Sequence, residues 1–196
     1  MNVTIIMPFS RAHNAEAIKA SFVSACDGFN GKARLIAVCS DEAHVGLFDE
    51  SVLTFLPPGL DWCYFKCNQA LENLQPSSPE DYFGFVCDDD LYEPGFFASL
   101  EQLIGASRPR VIVVNMKRWF HEVAVRDELS AWPDSMRVGL VGLEQFYIRG
   151  DIMGRWRFNQ NVSHGDGDLM ARLHAEMPHD FVFFRHLFVH WNKLPA

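Results

Sequence analysis

Basic charge is scarce in this chain of 196 residues, where 17 lysines and arginines face 25 aspartates and glutamates for a formal net charge of −8. That balance offers no global attraction for a phosphate backbone, so any nucleic-acid contact would need a local basic patch. Arg149, Arg155 and Arg157, which cluster late in the chain, read as substrate or surface groups. Cysteine is sparse and odd in number, five residues mostly set in apolar segments, which suits reduced core thiols better than a disulfide framework. Cys63 and Cys67 share a helix face at i, i+4, but no CxxC pair completes a zinc site, and packing is their expected role. Long hydrophobic runs are missing as well. The apolar stretch at residues 3–7 is too short for a signal peptide or a membrane span and has no basic leader, so a cytoplasmic protein without a membrane span is expected. No internal repeat or low-complexity segment is visible.

What the chain has in quantity is apolar surface, 48% of its residues, enough for a self-sufficient core in one large domain. Residues 3–7 form a short β-rich run stopped by Pro8, and 12–26 carry helical spacing. Residues 33–39 and 52–56 are two more β-rich runs, the second closed by Pro57-Pro58-Gly59. A helix follows from Asp61, a suitable N-cap, to the break at 75–79. Then come a strand at 82–87, a helix at 95–105 and a strand at 110–116. Residues 117–137 are less regular, as a lobe or lid over a site would be. Residues 138–150 return to β character, and 169–174 form a short helix whose first turn carries Asp166 and Asp168. The stretch 181–192 is apolar with His186 and His190 set into it. Alternating strands and helices with short links predict an α/β fold: a mostly parallel, Rossmann-like sheet flanked by helices.

The most informative stretch is Tyr82-Phe83-Gly84-Phe85-Val86-Cys87-Asp88-Asp89-Asp90, a buried strand ending in three aspartates ahead of Pro94-Gly95. Carboxylates so placed repel one another unless a cation sits among them, and hard divalent ions take carboxylate oxygens. Strand ends of open α/β sheets are also where ligands bind. Together with residues 3–10, Ser40-Asp41-Glu42, Asn68 and Gly165-Asp166-Gly167-Asp168-Leu169, this stretch resembles the GT-A fold glycosyltransferases, in particular the inverting family-2 type. The likeness runs from residue 3 to about residue 175.

The resemblance implies a single GT-A domain, with a nucleotide-sugar-binding half at 1–92 and an acceptor-binding half at 93–196. It places a divalent metal, Mn²⁺ or Mg²⁺, on the DXD-like pattern Asp88 and Asp90, with Asp89 between them in contact with the donor. Pro8, Ser10 and Arg11 match the loop that shapes the nucleotide pocket, Asp41 the residue that holds base or ribose, and Asn68 a further donor-side position. The later acidic motif supplies the general base. Here Gly165 stands where a glutamate is expected, Asp166 where the base is expected, and Asp168 is the second candidate. His190 matches a C-terminal histidine that serves some such enzymes as an additional metal ligand. Trp119, Trp156 and Trp191 are core aromatics or stacking surfaces for a sugar or base, and His164 reads as a loop residue.

The implied function is metal-dependent, inverting transfer of a sugar from a nucleotide-diphosphate sugar, a UDP-sugar by expectation, to an acceptor hydroxyl. Glycan, small molecule, protein and modified nucleic-acid base are all open as acceptors. Two alternatives stand beside it. One is a GT-A-like protein that binds nucleotide-sugar without transfer. The other is a sugar-phosphate nucleotidyltransferase, against which Pro8-Phe9-Ser10-Arg11 counts because it is not a glycine-rich basic loop.

Overall fold

The first apolar run becomes β1 (Asn2–Phe9), in which Ile5, Ile6, Met7 and Phe9 are completely buried. Side chains of a strand alternate between faces, so burial of consecutive residues requires cover on both sides. The computed structural model, which describes residues 1–55, 63–74, 78–105, 107–120, 123–128 and 133–195, shows that cover. Ile6 packs with Val38, Phe85, Val113 and Leu169 in one core, and Ile5 with Ala37, Phe97, Val114 and Tyr147 in another.

A 3₁₀ turn (Ala12–Asn14) leads into α1 (Ala15–Ala25), and β2 (Lys32–Cys39) and β3 (Glu50–Leu53) extend the sheet in parallel beyond β1. After α2 (Cys63–Asn73) the chain returns on the other side of β1 as β4 (Tyr82–Phe85), with Ile5 opposite Gly84. Gly84 has no room for a side chain, since a Cβ there would lie 2.5 Å from the Tyr147 ring.

The second half adds β5 (Leu91–Tyr92), α3 (Phe96–Ile104), β6 (Val111–Phe120), β7 (Val123–Glu128), β8 (Phe146–Arg149), α4 (Gly150–Met153), α5 (Gly165–Glu176) and β9 (Phe181–Trp191). The strand order is β3-β2-β1-β4-β8-β6-β9-β5, with β7 paired to β6. The first four strands are parallel; in the second half only β6 and β9 are, and the remaining pairs are antiparallel. The sheet is therefore parallel where the nucleotide half was expected and mixed beyond it. No helix among the described residues is long and apolar enough to cross a membrane.

Two expectations change. The segment from 117, anticipated as irregular cover, begins as an antiparallel ribbon of β6 and β7. The β character expected over 138–150 narrows to residues 146–149, because Gly139 turns the chain at φ +79° and the Gln145 side chain accepts a hydrogen bond from the Gly142 N–H (2.8 Å) ahead of a 3₁₀ turn (Leu143–Gln145). The Asp61 cap, the break at 57–59, most of that at 75–79, His121 and Trp132 lie outside the described residues.

Candidate active site

The C-terminal ends of β2, β1 and β4 lie side by side, and the order of connection reverses between β1 and β4. Such a switch point opens a crevice at the strand ends. Asp88 bridges it. Its Oδ2 accepts hydrogen bonds from the Ser10 N–H (2.6 Å), the Ser10 hydroxyl (3.0 Å) and the Arg11 N–H (2.8 Å), and its Oδ1 is paired with the Arg11 guanidinium. A buried carboxylate is tolerated when donors meet it in this way. Arg11 also lies 3.4 Å from Asp89 Oδ2, so one cation serves two members of the triplet. Pro8 is buried in β1 opposite Val38. Exposed Asp41, at the end of β2, accepts from the Ala43 N–H (2.9 Å) and caps the 3₁₀ turn there.

Asp90 faces the other half of the sheet. Its Oδ1 accepts from the Asn192 N–H (2.8 Å) and its Oδ2 from the Cys87 N–H (3.0 Å), tying the end of β4 to the residues that follow β9. Burial, then the neighbouring Glu144 and Asp89, push its carboxyl well above the usual range despite the two N–H groups. Asp89 is raised as well, chiefly by burial and further by Asp88, with Arg11 opposing. Both groups would gain from a cation. Ligand atoms of Cys87, Asp89 and Asp90 lie within 4.8 Å of one another; the two carboxylates suit a hard divalent ion, while burial pushes the Cys87 thiol up and makes it a weak ligand. Asp88 and His190 stand outside this group. His190, opposite Leu91 in the β5–β9 register, accepts from the Trp119 indole N–H at Nδ1 (2.8 Å) and has Nε2 3.6 Å from Glu93. Burial, Lys117 and Lys193 hold its pKa down, which keeps the imidazole in the neutral form a metal ligand needs.

Asn68 lies elsewhere. Its amide donates to the Phe158 carbonyl (2.9 Å) and accepts from the Phe158 N–H (3.0 Å), fastening α2 to the loop before α5.

The start of α5 forms one wall of a cavity of about 320 Å³ that is also lined by Cys63, Tyr64, Cys87, Glu144 and Trp191. Asp166 enters it from the first helical turn. Its Oδ1 accepts from the Gly167 N–H (2.7 Å), and the Tyr64 phenol lies beside the same carboxylate. Burial raises the Asp166 pKa, while Gly167, Tyr64 and His164 pull the other way. An upward shift makes a carboxylate a stronger proton acceptor. Asp168, on the next exposed face, is instead paired with Arg172 (2.9 Å) one turn on. His164 bonds the Ser163 hydroxyl (2.9 Å) beside the cavity. The start of α5 packs too closely for larger residues. A Cβ on Gly165 would lie 2.8 Å from the Asn159 carbonyl and 2.9 Å from the Tyr64 ring, and one on Gly167 2.8 Å from Val138 Cα.

Reading the sequence missed Glu144, Tyr64 and Cys87 as residues of this site. Glu144 left one signal, a charged residue inside the apolar run 138–150. Burial lifts its pKa to about 8, and Asp166 and Asp89 add to the effect.

Strand order and helical cover define the GT-A-like glycosyltransferase fold, a conclusion carried by likeness to solved structures. S. aureus TarS matches with a TM-score of 0.66 at 12% identity, over 97% of this chain and 36% of that one. Its 1–349 fragment in complex with UDP-GlcNAc gives 0.58 at 12% identity, over 98% and 56%. Francisella tularensis 2-C-methyl-D-erythritol 4-phosphate cytidylyltransferase gives 0.52 at 9% identity, over 100% and 94%. The chain thus spans little more than half of the TarS fragment and about a third of the longer TarS chain. No protein-family model and no curated protein sequence matches it.

Proposed function

We propose that this chain transfers a sugar from a nucleotide-diphosphate sugar, a UDP-sugar in the first instance, to an acceptor hydroxyl with inversion at the anomeric carbon. The observation that carries this reading is one cavity lined both by Asp166, a half-buried carboxylate at a helix start, and by Cys87 of the Cys87, Asp89 and Asp90 cluster. The UDP-GlcNAc complex of TarS supports the donor class. Asp166 takes the acceptor proton as the acceptor oxygen bonds to the anomeric carbon; the bond from that carbon to the diphosphate oxygen breaks, and its electron pair leaves with the nucleoside diphosphate. Asp89 and Asp90, with Cys87 beside them, would hold a divalent ion, which when bound would neutralise charge on the diphosphate. The crevice between Ser10, Arg11 and Asp88, with Asp41 at its edge, would receive the nucleotide, and His190 stands beside the metal cluster. Asn68 supports the donor side through its hold on Phe158 rather than by contact, and Asp168 steadies the first turn of α5.

The test is Mn²⁺-dependent release of nucleoside diphosphate from a panel of nucleotide-sugars. Asp166→Asn should retain donor binding and lose about 10²-fold or more of turnover, the scale of a missing general base. Turnover equal to that of the parent protein would overturn the assignment. The cytidylyltransferase likeness makes a second product worth measuring, because pyrophosphate released from a nucleoside triphosphate would mark nucleotidyl transfer instead. Donor binding without either product would mark a binding protein.

A further inference from the structure

Most buried acids among the described residues come with hydrogen-bond donors. Asp81 accepts from the Asn2 amide (3.0 Å) and the Ser78 N–H (2.9 Å), Asp88 from Ser10 and Arg11, and Asp90 from Cys87 and Asn192. Glu144 differs. It is only 2% exposed, and its Oε1 receives no hydrogen bond. A buried polar atom left without a partner is destabilising, so its persistence asks for an explanation in a ligand.

The surroundings are shaped to keep it there. A Cβ on Gly142 would lie 2.4 Å from Glu144 Oε1, and Gly142 has an ordinary φ of −93°, so glycine is needed for room rather than for backbone conformation. Gln145 locks the turn by accepting from the Gly142 N–H (2.8 Å) and donating to the Val114 carbonyl (3.1 Å). Glu144 lines the same cavity as Asp166, whose walls also carry Arg118 and His164 beside apolar Met116, Leu140, Leu143 and Trp191. A cavity of about 320 Å³ is at the small end of ligand sites, a fit for one sugar ring rather than an oligosaccharide.

We propose that Glu144 is the residue that recognises a hydroxyl of the transferred sugar and so sets donor specificity. The inference rests on the glycosyltransferase reading above and deepens it. The Glu144 Oε1, left without a protein donor at the cavity wall, is placed to accept a hydrogen bond from a sugar hydroxyl. Glutamine preserves an acceptor oxygen there; leucine removes it at similar volume.

The experiment is calorimetric titration of the full chain, in the presence of Mn²⁺, with UDP and with UDP-glucose, UDP-galactose and UDP-N-acetylglucosamine. Glu144→Leu should lower affinity for the preferred UDP-sugar about tenfold or more, the equivalent of about 1.4 kcal/mol, while UDP affinity stays within about twofold and Glu144→Gln stays close to the parent protein. Unchanged UDP-sugar affinity in a folded Glu144→Leu, or an equal loss for UDP, would overturn the inference and leave the glycosyltransferase reading standing. Failure of the parent protein to bind UDP or any of the sugars would sink both. Monodeoxy UDP-sugars supply a check that needs no variant. One missing hydroxyl should cost the parent protein about tenfold, and equal binding of every deoxy analogue would refute the role of Glu144.

Discussion

Replacing Glu144 by glutamine should change how stability depends on pH. In the folded chain burial raises this carboxyl from 4.5 to about 8. Below pH 4.5 both folded and unfolded chains hold the proton; between there and pH 8 only the folded chain does. The native state then binds one proton more than the unfolded state, so stability falls as pH rises, by about 1.4 kcal/mol per unit for this one group. Glutamine does not titrate. Between pH 5.5 and 7.5 the wild type should lose about 3 kcal/mol relative to Glu144→Gln. For a chain of this size that gap corresponds to roughly 6–12 °C in thermal midpoint. Thermal unfolding followed by circular dichroism across that range, in chelator-treated buffer so that no metal binds the neighbouring carboxylates, reads it directly. Parallel curves for the two proteins would refute the claim that Glu144 is buried as a neutral acid.

Two further outcomes follow from close packing and from the crevice. Gly167→Ala places a Cβ 2.8 Å from Val138 Cα and 3.0 Å from the Arg137 carbonyl, both backbone atoms that cannot swing aside; a loss of about 1–3 kcal/mol is expected, and a thermal midpoint equal to the parent's would show that the start of α5 has slack. Arg11→Ala strips Asp88 and Asp89 of their shared cation and should cost about 1–3 kcal/mol. Ser10→Ala removes one hydroxyl donor while both backbone N–H bonds to Asp88 remain, and should cost less than about 1.5 kcal/mol. Urea unfolding of both variants gives the order, and the reverse order would refute the central place of Arg11.

The parallel half of the fold was legible because its physics is local. Strands buried on both faces must be apolar throughout, and residues 3–7, 33–39 and 82–86 announce themselves in that way. The triplet at 88–90 could likewise be placed at a strand end by the abrupt change from apolar to acidic. What could not be read was the division of labour among the three aspartates. The hydrogen bonds that engage Asp88 come from residues 10 and 11, and those that engage Asp90 from residues 87 and 192. Most of these donors are backbone N–H groups, and a backbone amide leaves no mark on sequence. The same is true of Asn68, whose partner is the main chain of Phe158 ninety residues away. The mixed half of the sheet was obscured for a different reason. The run 138–150 has β composition, but Gly139 at positive φ and the Gln145 side chain convert most of it into turns, and only tertiary contacts decide that outcome.

The glycine at 165 and the glutamate at 144 bear on a single question. In the glycosyltransferases that this chain resembles, a glutamate precedes the base; here the corresponding position is packed against the Asn159 carbonyl and the Tyr64 ring, with no room even for a Cβ. A carboxyl is nonetheless present beside Asp166. It comes from the 3₁₀ turn ahead of β8, lines the same cavity, and interacts electrostatically with Asp166. The two features fit one another. A glycine at 165 lets the start of α5 close against Tyr64 of α2, beside Asp166, and the cavity retains a second carboxyl from another element. A site built this way holds the carboxyls of Asp166 and Glu144 on separate scaffolds. Substitutions at Glu144 should therefore alter which donor is bound while leaving Asp166 in place, a separation that a Glu-Asp pair on a single helical turn would not allow.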